Sequence, residues 1–534
     1  MKKYFTGKNF MLLIFFSLFA ALVISRFDYT WDDSAITIAF SKTLAATGDI
    51  RPSAYSDRVE GYSSFLWMLI NWTFFKCGAG ESAALFLSKI LAALFNAATA
   101  GLLYFLIKKK TNNEIAIFTG LFTYLFSSAS LFESINGMET PLYAFFLLAS
   151  YAAYESGDKH RGAYYIFIIC SALVILTRHE GAWYLVPFVI LEFQKNGAGA
   201  LKKPHFYLWA AVFLSYNVWH YLYFDDILTN PMLAKRWTPY TPEFLNFREF
   251  LSFHITPLLF IFFDYLPLFA ALVVFDRFDF STGKPDVMYK PRLESDPALL
   301  FILAGLLFNF IIGSNWGPKG RMFLPALPFL ALYFSGIFGR KEKLANFMNA
   351  FIILFCAAFF AYINVYYYVS LAPMQMQVEG FRGVWNNARI ISSRAGLDKF
   401  IYAGPDMGGF LLYSENLRVI DTALLCNRHL AHKGYARFGD YIFEDETPHI
   451  IKTHAVWTFV SGIYGDERFY KMYKPVSCRG TNFFVRNDVF DNLSKKSALR
   501  RTEMPVIADE ESRYAKYDRQ IYNKFGICYE LTGN

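Results

Sequence analysis

The chain has 534 residues, of which 55% are apolar, 19% aromatic and only 18% charged, with 52 Lys and Arg against 44 Asp and Glu for a net charge of +8. That charge content lies below the quarter or so usual in soluble domains, and the apolar content excludes a disordered chain. Six cysteines are too few for a disulfide framework.

The apolar residues come in long blocks up to about Leu371, and the remainder reads like a soluble protein. A polytopic α-helical membrane protein with a C-terminal mixed α/β domain follows. The basic residues cluster in short loops between the blocks, a topological pattern that gives no reason to expect nucleic acid as a partner.

In chain order, the first block, 10–25, follows Lys2, Lys3 and Lys8 and has no A-x-A-like site after it, so it reads as an uncleaved span with a cytoplasmic N-terminus. Residues 33–46 (DSAITIAFSKTLAA) read as a helix whose stripe of Ile36, Phe40 and Leu44 suits a membrane surface. The block 62–76 fits either a span or an interfacial helix. Further spans are expected at 84–107, 115–133, 139–154, 162–177, 180–193, 206–224, 254–275, 298–313, 322–338 and 345–370. Taking 62–76 as interfacial puts eighteen Lys and Arg inside against about ten outside, which obeys the positive-inside rule. This gives about eleven spans and a division into 1–372, the membrane domain with its first outer loop at 27–83, and 373–534, an extracytoplasmic domain.

The soluble segment carries β-like runs at 400–403, 417–420, 455–460 and 482–485. The glycine-rich stretch Gly404–Gly409 reads as a turn between strands rather than a phosphate cradle. Cys77, Cys170 and Cys356 fall in or beside apolar blocks. Among Cys426, Cys478 and Cys528 at most one disulfide is open.

With this topology the unusual polar residues gather on the outer side. They are Asp32 and Asp33, Arg58 and Glu60, Glu139, Arg178 and Glu180, Lys235 and Arg236, and Lys319 and Arg321. A charge facing hydrocarbon costs roughly 2.5–3.5 kcal/mol, so charges at span ends face a cavity, a partner or headgroups. One of Asp32 and Asp33 could take a proton from an acceptor hydroxyl, and the other could hold a base, a backbone amide or a metal; helix capping explains the pair as well. Arg58 and Glu60 could form a local ion pair, or contact an anionic headgroup and a sugar hydroxyl. Glu139 suits a helix start in any case. Lys235 and Arg236 suit a phosphate, as point charge and bidentate fork. No P-loop, G-x-G-x-x-G or G-x-S-x-G is present. Together the acids and bases describe a site for an anionic, lipid-linked substrate.

On the stretches WDDSAITIAF, DRVEGYSSFLW, NGMETPLYAF, TRHEG, NPMLAKRW, GRMFLPALP and YAGPDMGGFLLYSENLRVID, the sequence resembles the GT-C superfamily of polyprenyl-phosphate-sugar-dependent membrane glycosyltransferases, in particular the branch of bacterial terminal arabinofuranosyltransferases. The resemblance implies an extracytoplasmic active site in which an acid of the first loop, Asp32 with Asp33 beside it, is catalytic. It implies substrate contacts at Arg58, Glu60, Glu139, Arg178, Glu180 and Lys235, to which the charge pattern adds Arg236 and Arg321. His179 stands where the family pattern has proline. The implied reaction moves a sugar from a polyprenyl monophosphate to an acceptor glycan or glycolipid at the bacterial cytoplasmic membrane. No organic cofactor is implied, and a divalent metal is left open. Aromatic platforms for the acceptor are expected at Tyr413, Trp457 and Tyr464. A flippase, transporter or glycan ligase for lipid-linked glycans is the alternative; an inverted repeat, its usual mark, is not found.

Overall fold

In the computed structural model, residues 7–157, 160–279, 284–285, 296–314, 320–339, 347–374, 377–504 and 514–532 are described. Lys319 and the cations at 340–343 lie outside them. The chain forms two compact units. The first combines Met1–Thr30, Phe86–Val218 and Phe244–Gln375, and the second Trp31–Leu85, Trp219–Glu243 and Met376–Asn534.

The first unit is helical and apolar, as a multi-pass membrane protein requires. Three of the described helical stretches are long and apolar enough to cross a bilayer, at Glu81–Lys110, Phe247–Ala271 and Phe351–Leu371, beside several shorter apolar helices. Helix Thr140–Gly157 packs on Arg161–Thr177, Glu114–Leu125 on Leu327–Gly339, and Phe247–Arg277 on Phe347–Leu371. Two expected spans are interrupted. The block at 115–133 is a pair of helices, Glu114–Leu125 and Ser128–Asn136, bent by 50°. The Ser127 hydroxyl caps the second by accepting from the Ser130 amide, and Asn364 takes the Ser128 amide at 2.9 Å. Side chains thus satisfy the backbone groups that the bend frees. The block at 180–193 starts as a 3₁₀ turn, His179–Leu185, before the helix Val186–Asn196, which carries proline at its start. A two-residue ribbon, β1 (Phe278–Asp279) with β2 (Lys284–Pro285), completes the described part of this unit.

The second unit is built on a seven-stranded mixed sheet of β3 (Phe400–Gly404), β4 (Leu417–Asp421), β5 (Ile450–Ile451), β6 (Tyr473–Cys478), β7 (Thr481–Arg486), β8 (Leu499–Glu503) and β9 (Ile527–Leu531). Its order is β4-β3-β5-β7-β6-β9-β8, with β3 parallel to both β4 and β5. Three of the four expected strands are present. The run at 455–460 is instead the helix Ala455–Ser461. Its β-branched and aromatic residues favour a strand locally, but Asp518 overrides them, accepting from the Ala455 amide and the Thr458 hydroxyl, each at 2.5 Å. All six cysteines are free thiols.

Two helices of the stretch 27–83 belong to this unit. Helix Asp32–Thr47 packs on Phe65–Lys76 and on Gly408–Tyr413. Its stripe does not lie on a membrane: Ile36 and Phe40 are buried in a core shared with Met68, Trp385, Tyr402 and Phe410. Helix Phe65–Lys76 has twelve residues, a length of about 18 Å against the ~30 Å of a hydrocarbon core.

Candidate active site

The sequence motif Trp31-Asp32-Asp33 opens a helix in the second unit, and its two acids differ in environment. Asp32 is 3% exposed and accepts from the Gly408 amide at 2.8 Å and the Gly409 amide at 2.6 Å, one on each carboxylate oxygen. Burial pushes its pKa well up; the two amides pull the other way, and Asp406 and Asp33 add to the rise. Asp33 is half-buried beside it. The glycine-rich stretch is a strand-to-helix turn that closes on Asp32, with β3 ending at Gly404 and a helix beginning at Gly408.

Arg58 and Glu60 do not pair with each other. Arg58 binds Asp49 through Nη2 at 2.6 Å and lies over the Tyr223 ring, and it remains half-exposed. Burial opposes the charge of Asp49, yet Arg58 and Arg51 hold its pKa below the usual range. Glu60 is 2% exposed and meets Nε2 of His220, itself 1% exposed. The other ring nitrogen, Nδ1, lies 2.8 Å from the Asp226 carbonyl. The backbone carbonyl of Glu60 accepts from the Asn230 amide, at the start of the short helix Asn230–Ala234. Asn230 in turn donates to the carbonyls of Leu424 and Leu425 at 2.9 and 2.7 Å. Lys235 caps that helix and, like Arg236, is exposed; Arg236 donates to the His432 carbonyl at 2.9 Å. The 58–61 stretch and the Lys235–Arg236 pair therefore flank one anchored turn.

The first unit gathers the other candidates into a buried charge network. Arg178 bridges Glu139 and Glu180. Arg321 lies 3.9 Å from Glu139 and 3.8 Å from Glu133, which is 0% exposed. Three acids face two guanidiniums at the ends of four chain segments. Of the expected acceptor platforms, Trp457 is buried, while Tyr413 and Tyr464 are half-buried. Among the described residues no group of three or more His, Cys, Asp or Glu could hold a metal ion.

Reading the sequence missed Glu133, Asp49 and His220. Glu133 and His220 were visible as lone ionisable residues in apolar runs, LFESIN and NVWHYLYF, where such residues rarely occur without a partner. Asp49 carried no such signal.

Residues 65–222 match the family profile described as dolichyl-phosphate-mannose-protein mannosyltransferase. ArnT from Cupriavidus metallidurans in the apo state has a TM-score of 0.57 to this structure at 14% identity, covering 90% of this chain and 98% of ArnT. The chain has the GT-C fold. ArnT of the same organism bound to undecaprenyl phosphate gives a TM-score of 0.53 at 14% identity, covering 89% of this chain and 98% of that one. No curated protein sequence matches the chain. On this GT-C fold the matched stretch includes Glu139, Arg178 and Glu180. Asp32, Asp33, Arg58, Glu60, Lys235, Arg236 and Arg321 lie outside it.

Proposed function

We propose that the chain is a membrane glycosyltransferase that moves a sugar from a polyprenyl monophosphate to an acceptor glycan, on the outer side of a bacterial cytoplasmic membrane. The observation that supports this most is the likeness to ArnT along nearly the whole of both chains, one of the ArnT structures being bound to undecaprenyl phosphate. In this reading the N-terminus is cytoplasmic and the second unit extracytoplasmic. The acceptor oxygen forms a bond to the anomeric carbon as the bond from that carbon to the phosphate oxygen breaks. The phosphate leaves with the electron pair, and the acceptor proton passes to a carboxylate.

The different environments of the two acids support a division of labour between them. Asp33, half-buried, takes the acceptor proton. Asp32 holds the amides of Gly408 and Gly409 and so fixes the start of the helix that carries Asp33. Lys235 and Arg236, with Arg58, stabilise charge on the departing phosphate. Glu60 is oriented by His220, and its backbone fixes the turn that bears Lys235. Glu139, Arg178, Glu180 and Arg321 hold loop ends of the first unit in one arrangement. The sugar, an arabinofuranose or another, is set by contacts beyond these.

The test is a two-substrate assay on the purified protein in detergent, following both polyprenyl phosphate release and sugar incorporation into acceptor. Coupled appearance of the two supports transfer. Displacement of intact donor with no bond cleavage would favour a flippase and refute the proposal.

A further inference from the structure

The second unit holds a pocket whose polar lining includes none of the charged candidates above. The chain leaves β3 toward β4 on one side and leaves β5 toward β6 and β7 on the other. At such a divergence the loops separate and open a crevice beyond the carboxyl ends of the strands, the usual ligand position in open α/β sheets. A shallow crevice open to solvent lies there, lined by Ala403 and Pro405 after β3, Thr422 after β4 and Lys452, Thr453 and His454 after β5. Phe438, Ile442, Trp457 and Ile463 add apolar wall.

The polar side of this pocket is lined by donors. Among the described residues the Lys452 ammonium, the Thr453 hydroxyl and Nε2 of His454 meet no hydrogen-bond partner. The nearby acids are already engaged. Asp518 takes the Ala455 amide and the Thr458 hydroxyl, and Asp406 accepts from Nδ1 of His454 at 2.9 Å. That contact fixes the ring and leaves its other edge toward the opening, where the side chain is 46% exposed. Burial works against the charge on Lys452 and lowers its pKa, with Asp406 and Asp518 pulling it back. For His454 the contact with Asp406 outweighs burial and raises the pKa. Lys452 and Thr453 are half-buried and His454 is exposed at the mouth, so the three present their donors together to a ligand entering the crevice.

We infer that the pocket beyond β3 and β5 binds an oxyanion carried on a sugar, a carboxylate or a phosphate monoester, gripped by Lys452, Thr453 and His454 with the sugar's apolar face on the wall near Trp457. Recognition of the oxyanion stands on the pocket itself; that a glycan carries it rests on the transfer reading. The occupant is then an anionic unit of the acceptor.

The test reads binding without turnover. Full-length protein in detergent is treated with an amine-modifying reagent, and modification of Lys452 is followed by mass spectrometry with glucuronic acid, glucose 6-phosphate or glucose added, the exposed Lys399 serving as reference. Saturable protection of Lys452 of at least about fivefold by either anionic probe, and none by glucose, is the expected result. Protection by glucuronic acid alone identifies the carboxylate, and protection by glucose 6-phosphate alone the phosphate. Calorimetric affinity for the protecting probe should fall about tenfold or more in Lys452→Met and recover in Lys452→Arg. Absence of protection by both anions, equal protection by glucose, or unchanged affinity in a folded Lys452→Met protein overturns the inference. Loss of sugar transfer with protection intact would sink the transferase reading alone.

Discussion

Two neighbouring aspartates show how position decides chemistry. Asp32 spends both carboxylate oxygens on backbone amides 376 and 377 residues away, and Asp33 does not share that burial. Asp33→Asn is expected to lower transfer by about 10²–10⁴-fold and the thermal midpoint little, since the amide keeps the shape of the half-buried side chain but is no proton acceptor. Asp32→Asn should lower both, because an amide side chain offers one acceptor oxygen where two donors need satisfying; paired activity and melting curves separate the cases. Asp421 is a further buried acid, pushed up to about 7 chiefly by burial, with the amides of Cys426 and Ala423 opposing. A carboxyl raised in the folded state contributes stability that is complete below its unfolded pKa of about 3.9 and is lost as pH rises through about 7. The melting midpoint should therefore fall between pH 4 and 7 more steeply in the wild type than in Asp421→Asn, in melts across that window. The presence of the Asp32-Asp33 pair was legible in the sequence. The difference in their burial was not, because the glycine amides that Asp32 accepts from lie more than 370 residues further along the chain.

At the scale of elements, helix Asp32–Thr47 was legible from its pattern, with its start displaced by one residue. Its surroundings were not, since an apolar stripe reads the same against lipid as against protein. What seats this helix is close backbone approach: a Cβ on Gly408 would lie 1.8 Å from the Asp32 carbonyl oxygen, and one on Gly409 would lie 2.3 Å from that of Val378. Both neighbours are backbone and cannot swing aside. Gly408→Ala should destabilise the protein by about 3 kcal/mol or more, seen as earlier unfolding in urea and faster proteolysis within the second unit. Helix Ala455–Ser461 is the converse case, where local preference said strand and two hydrogen bonds donated to Asp518 decided otherwise.

At the scale of the molecule, the sheet-bearing unit draws on three separate stretches of chain, and one core contains Phe40 and Met68 together with Trp385, Tyr402 and Phe410. Residues 376–534 expressed alone would expose that shared apolar surface. Such a fragment should bind a hydrophobic dye and resist crystallisation as a rigid domain, and co-expression with 31–85 should reduce dye binding. The other unit carries the Arg178 network, in which removing one partner strands a buried charge. Arg178→Met is expected to cost about 3–5 kcal/mol, measured as loss of folded protein on extraction and a lowered melting midpoint.

The sequence by itself determined the apolar helical blocks, three of the strands in the C-terminal sheet, and the kinds of charged residue gathered between the blocks. These are set by hydropathy and periodicity, which act over one or a few turns and need no knowledge of the rest of the chain. Only the tertiary structure decided which charge meets which: Glu60 with His220 rather than Arg58, Asp32 with Gly408 and Gly409, Arg178 between Glu139 and Glu180. Such pairings depend on how chain segments far apart in sequence are brought into contact, and the energy of burying a charge is settled only there, by the partner that compensates it.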